Sequence, residues 1–198
     1  MEEGFIHRNP AKDIPYPKRE DKQPVYLTEE QLTLFRELVK GNILERAVLE
    51  VLYATGIRIS ELIVMKKDAI HWDERFIFIP RGKGKKERIV PFSRRCEGHL
   101  SIYLESRMDD LPYVFINNKL KRLLHQQRIN ERFQYYSSQL GFRVTPHMLR
   151  HTFATHLAKR GMRFEIIMVL LGHENPKTTQ WYTRFYEQLQ KEEYDQWM

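Results

Sequence analysis

The chain has 198 residues, 41% of them hydrophobic, which suits one domain with a buried core, with or without a flexible arm. Lys and Arg number 33 against 26 Asp and Glu, and the resulting net charge of +7 favours a polyanionic partner, nucleic acid above all, although a solvated basic face has the same composition. A single cysteine, Cys96, excludes a disulfide framework or a cysteine-rich zinc site within one chain, and without a long apolar run or an apolar N-terminal signal core the sequence predicts a soluble, cytoplasmic protein with no membrane partner.

Residues 1–27 hold four prolines, among them Asn9-Pro10 and the run Ile14-Pro15-Tyr16-Pro17, which cannot continue a helix. They are expected to form an extended arm or interdomain linker. A domain is expected over 28–198. Thr28 with Gln31 fits a capping box, and Leu32, Phe35, Leu38 and Val39 follow at helical spacing. A second helix is predicted over 44–54, with Leu44, Ala47, Val48, Val51 and Leu52 inward and Gly56 at its end. A short helix then carries Glu61, Leu62 and Val64. Strands are predicted over 70–72, 76–80 and 88–91, with Gly82 and Gly84 between the last two marking a hairpin. Helices are expected over 93–107 and 125–140, with a short apolar run of undefined type at 114–116. Thr145-Pro146 combines an N-cap residue with a proline at the first helical position. That helix should stop at Gly161, and the next, over 164–171, at Gly172. Asn175-Pro176 repeats the start signal ahead of Tyr182. These elements describe an α+β fold, mainly α-helical, with a small antiparallel sheet.

Several residues could carry chemistry. His147 and Arg150 are three apart near a helix start, so they share a face and sit where free backbone N–H groups favour an anion. A lone HxxR is short enough to mean nothing more than a surface pair. Arg58 stands in the turn after Thr55-Gly56 and could clamp a phosphate through two guanidinium N–H groups. Glu61, three residues on, could accept from it and fix the fork, or the two could form an ordinary surface ion pair. Lys83, with Arg81, Lys85 and Lys86, occupies a basic hairpin tip suited to gripping a phosphodiester backbone or simply to solvation. His173 follows a helix-ending glycine, and Tyr182 comes nine residues later. Among ten tyrosines a half-buried structural role is the ordinary expectation, and Tyr186 lies one turn beyond. His151, four residues after His147, falls on the side of its helix that holds Ala154 and Ala158, which predicts a core or supporting role.

Taken together, TGIRISEL at 55–62, RGKGKKERIVP at 81–91 and the stretch 144–184 with HxxRH, LGH and the tyrosine resemble the catalytic domain of the tyrosine recombinase (phage integrase) family. The resemblance runs from about residue 9 to about 186. It implies the catalytic-domain fold of that family and cleavage of double-stranded DNA through a 3′-phosphotyrosyl link, with no metal or nucleotide cofactor. It assigns catalytic positions to Arg58, Lys83, His147, Arg150, His173 and Tyr182. Tyr182 has the family's offset from the histidine and Tyr186 does not. In relatives the first lysine of GKG protonates the leaving 5′ oxygen, which points to Lys83, with Lys85 and Lys86 as neighbouring alternatives.

These residue types fit the reaction. Attack on a phosphodiester adds negative charge, which Arg58 and Arg150, aided by His173, would neutralise in a preorganised site. A phenol of pKa near 10 needs a base, for which His147 is the candidate. The resemblance also implies a homotetramer on DNA, exchange of a C-terminal segment at about 187–198, and nucleoid association. Relatives carry an N-terminal core-binding domain that is expected to be absent from these 198 residues. A type IB topoisomerase-like activity and a non-catalytic DNA-binding module are the alternative readings. The target DNA site and biological role are not written in the sequence.

Overall fold

The computed structural model describes residues 26–80, 87–117 and 120–172. Thr28 opens α1 (Glu29–Leu38) with a full capping box: its hydroxyl accepts from the Gln31 N–H at 3.2 Å, while Gln31 accepts from the Thr28 N–H at 3.0 Å. Leu32, Phe35 and Val39 face the core, but Leu38 is 38% exposed. Asn42 caps α2 (Ile43–Thr55), which ends at Gly56 in the left-handed conformation, φ +60°. The α2 helix is central, packed against two later helices, α4 (Arg94–Glu105) and α6 (Pro146–Lys159). Its burial therefore extends past one apolar stripe and takes in Glu50, whose carboxylate is held by Arg36 through two hydrogen bonds of 2.8 Å and paired with Arg46 at 3.1 Å. Periodicity alone does not foresee a carboxylate on a buried face.

After α3 (Ile59–Val64) and a 3-10 turn at Lys67–Ala69 comes a three-stranded antiparallel sheet of β1 (Ile70–His71), β2 (Phe76–Ile79) and β3 (Arg88–Pro91), in that order. The pairing Ile79↔Arg88 makes β2 and β3 the arms of a hairpin whose tip, 81–86, lies outside the described residues. The Ser93-capped α4 (Arg94–Glu105) follows, then a second, two-stranded ribbon of β4 (Ile116–Asn117) and β5 (Arg122–Leu123). The apolar run at 114–116 thus enters a strand, with the Val114 N–H donating to the Met65 carbonyl at 2.8 Å. The chain finishes with α5 (Gln126–Leu140), α6 (Pro146–Lys159) and α7 (Phe164–Leu171).

One hydrophobic core joins α1, α2, the sheet, α4, α5 and the start of α6, and a smaller cluster packs α6 against α7. The segment that enters α1 is stitched to α6. The Leu27 N–H donates to Thr152 Oγ1 at 2.9 Å, and its carbonyl is 3.0 Å from His156 Nε2. Among the described residues no helix is long and apolar enough to cross a membrane.

Candidate active site

Four local structures converge on one place: the turn from α2 into α3, the inner edge of β3, the N-terminal half of α6 and the last turn of α7. Gly56 makes the first approach possible. A Cβ there would lie 2.3 Å from a Phe153 ring carbon and 3.1 Å from Leu171, and its φ is already one that side chains resist. The turn therefore packs directly on α6 and α7 and delivers Arg58 to the N-cap of α3. Glu61 accepts from the Arg58 backbone N–H at 2.8 Å and from its guanidinium at 3.2 Å.

Glu61 is not Arg58's alone. Arg88, only 8% exposed, donates to both Glu61 oxygens at 3.1 and 2.8 Å, and its Nε donates to the Leu170 carbonyl at 2.8 Å. Sequence reading passed over Arg88. The available signal was strand alternation: Arg88 shares the inner face of β3 with Val90. An arginine at that position is easily read as part of the preceding basic run. Burial would raise the Glu61 carboxyl, but the hydrogen bonds from Arg88 and the Arg58 backbone, with both positive charges, bring it down to about 2. Glu61 is therefore an anion near neutral pH.

Thr145 caps α6 by accepting from the Met148 N–H at 3.0 Å, with Pro146 in the first position. His147 lies in the first turn, at the surface. Arg150 is one turn further in and only 6% exposed, deeper than a site in the first turn would put it. Its Nη1 and Nη2 donate to the carbonyls of Gly56 and Leu171, both at 2.6 Å. Arg58 Nη2 reaches the Gly172 carbonyl at 3.3 Å. The successive carbonyls of residues 170, 171 and 172 are thus each met by a different arginine. Three guanidiniums complement the negative end of α7 and fix the backbone that leads to His173.

Three arginines and one carboxylate leave a net positive cluster, suited to an anion. Arg58, with its side chain 30% exposed, turns the most donor surface outward. His147 is held below the usual histidine range, first by partial desolvation and then by the charges of Arg150 and Arg58, so it is neutral near pH 7 and able to accept a proton. His151 Nε2 lies 2.8 Å from His147 Nε2, so His151 supports His147 and is not a plain core residue. Lys83, His173, Tyr182, Arg81, Lys85 and Lys86 lie outside the described residues, as does 187–198. Among the described residues no group of three His, Cys, Asp or Glu could hold a metal ion.

The chain belongs to the phage integrase family, whose model matches residues 26–188. It is 38% identical over 177 residues to the tyrosine recombinase XerA of Pyrococcus furiosus, which covers 88% of this chain and 62% of that protein. The chain therefore spans a little over three fifths of such relatives. Among solved structures, the XerA recombinase crystal structure superposes with a TM-score of 0.77 at 33% identity, covering 87% of this chain and 65% of that one. The XerH site-specific recombinase, in a post-cleavage complex with a palindromic difH substrate, gives 0.77 at 25% identity, covering 98% and 60%.

Proposed function

We propose that this chain is the catalytic part of a site-specific DNA recombinase that cuts and rejoins double-stranded DNA through a 3′-phosphotyrosyl intermediate. The observation that carries the reading is the convergence of Arg58, Arg150 and His147, with Glu61 and Arg88 behind them, in a member of the phage integrase family. In this reading Tyr182 Oη attacks the scissile phosphorus and its proton passes to His147. The bond to the 5′ oxygen breaks, and that oxygen takes a proton from Lys83. Arg58 and Arg150, with His173, meet the charge that grows on the phosphoryl oxygens. Because Glu61 and the helix-end carbonyls already hold the guanidiniums in place, little reorganisation is needed as the charge develops. Rejoining is the reverse, with a 5′-hydroxyl from a partner duplex as nucleophile. Each phosphodiester is exchanged for a phosphotyrosine and back, so neither ATP nor another cofactor is required. Arg81, Lys85 and Lys86 would grip the DNA backbone. The whole protein would work as a cytoplasmic, nucleoid-associated homotetramer on two DNA sites, exchanging residues 187–198 between protomers. A substrate-bound structural neighbour supports DNA as the partner.

Incubation with a nicked suicide duplex carrying the recombination site tests this. The protein should form a covalent adduct that Tyr182→Phe abolishes and Tyr186→Phe retains. An adduct mapped to Tyr186 would overturn the assignment of the nucleophile. Relaxation of a plasmid without strand exchange between two sites would move the reading to a topoisomerase.

A further inference from the structure

We propose that His151 is a positioning residue for His147: it accepts a hydrogen bond from His147 Nε2–H, and so leaves Nδ1 of His147 as the nitrogen that receives the nucleophile's proton. The inference rests on His147 being the base and goes beyond it, by naming the tautomer and the group that sets it.

The geometry is specific. The two residues are four apart on α6 and share a face. Their Nε2 atoms are 2.8 Å apart, and the rings meet edge to face with centroids at 4.3 Å. Two nitrogens at that distance share one proton, so one ring carries it on Nε2 and the other presents a lone pair. If His151 were the donor, its proton would occupy the His147 Nε2 lone pair. The proton of His147 would then sit on Nδ1, and neither nitrogen could act as base. If His147 is the donor, its Nδ1 lone pair is open, and His151 carries its own proton on Nδ1. Only the second arrangement is compatible with the base role.

The charges facing the pair disfavour a second proton on it. Among the described residues, Arg150 and Arg58 act on His147, and Arg150 and His147 act on His151. Among the described residues no carboxylate acts on either ring, so within them the pair takes up at most one proton near neutral pH. Desolvation, then His147 and Arg150, push His151 down to about 4. It therefore remains a neutral acceptor while His147 cycles. When the phenolic proton arrives on Nδ1, the His147 imidazolium keeps its Nε2–H bond to neutral His151. In the religation half-reaction the proton returns by the same nitrogen. This is the general arrangement in which a third group fixes the tautomer of a catalytic histidine.

Two measurements test it. Long-range 1H–15N correlation spectra of the uniformly 15N-labelled protein near neutral pH, without DNA, should show His147 protonated on Nε2 and His151 on Nδ1. The reverse assignment for His147 would overturn the proposal, and this readout stands whether or not the protein recombines DNA. The second is the pH profile of single-turnover cleavage of the suicide duplex. His151→Phe removes the acceptor but keeps a planar ring. It should lower the plateau rate about tenfold or more, and it should move the acid limb to lower pH, because the His147 imidazolium has lost a partner. His151→Gln, which keeps an acceptor oxygen, should restore most of the rate and the position of the limb. A parental profile for His151→Phe, or equal losses in both variants with an unmoved acid limb, would reduce His151 to a structural residue.

Discussion

Arg150 has two duties that a substitution separates. Its guanidinium bridges the Gly56 and Leu171 carbonyls, and in the proposed reaction it also faces the phosphoryl oxygens. Arg150→Ala should cost about 1–3 kcal/mol of stability, because buried carbonyls lose their donor. Arg150→Lys keeps the charge but not the planar fork. With this variant, cleavage at saturating DNA should slow about a hundredfold or more, the scale of one lost oxyanion-type donor, while the dissociation constant for DNA changes only a few-fold. Parallel losses in affinity and rate would mean backbone clamping instead. Glu61 carries a stability prediction. Its folded pKa of about 2 lies below the about 4.3 expected of an unfolded glutamate. Its contribution is therefore complete above about pH 4.3 and is lost as pH falls through the folded value near 2. Glu61→Gln should lower the melting temperature at neutral pH yet lose less between those limits than the parent. Asp109, brought to about 2 by its hydrogen bond with Arg107, titrates in the same window and remains in both proteins. Parallel melting curves across the acid range would show that Glu61 is not the anion described here.

At the scale of elements, stop and start signals are local, and this is why they were readable. Thr28 and Thr145, read as caps, do cap their helices, as do Asn42 and Ser93, which were not read as caps, and Gly56, Gly141 and Gly172 end theirs at positive φ. The two-stranded ribbon at 116–123 escaped notice because each strand is two residues long, too short for any alternation to register. Arg88 escaped because a charged residue on the inner face of a strand is explained only by Glu61 and Leu170, which are distant in sequence. The glycines permit a paired test. Gly141→Ala meets nothing within 4 Å and should cost only the left-handed backbone penalty, about 1–2 kcal/mol. Gly56→Ala adds a collision with Phe153 on top of the same penalty, and the total should exceed that of Gly141→Ala by about 1–3 kcal/mol in denaturant unfolding. Equal costs at the two sites would mean that the turn does not pack on α6 as described.

The whole molecule carries a charge of +7, and its arginine cluster is one part of that excess. Binding to a non-specific duplex should therefore be dominated by counterion release. Affinity should fall linearly on logarithmic axes, by an order of magnitude or more between about 50 and 200 mM salt. Salt-insensitive binding would point to a surface other than the basic one. The pattern of the sequence alone determined the helices, their caps, the hairpin, the family and which side chains to watch, because these depend on neighbours within a few residues or on motifs with fixed spacing. Tertiary structure decided the depth of Arg150, the sharing of Glu61 between Arg58 and Arg88, and the capture of three successive α7 carbonyls by three arginines. It also decided that His151 meets His147 through Nε2. Helical spacing places two histidines on one face, but only the packed environment fixes their rotamers and sets which nitrogen of each ring faces the other.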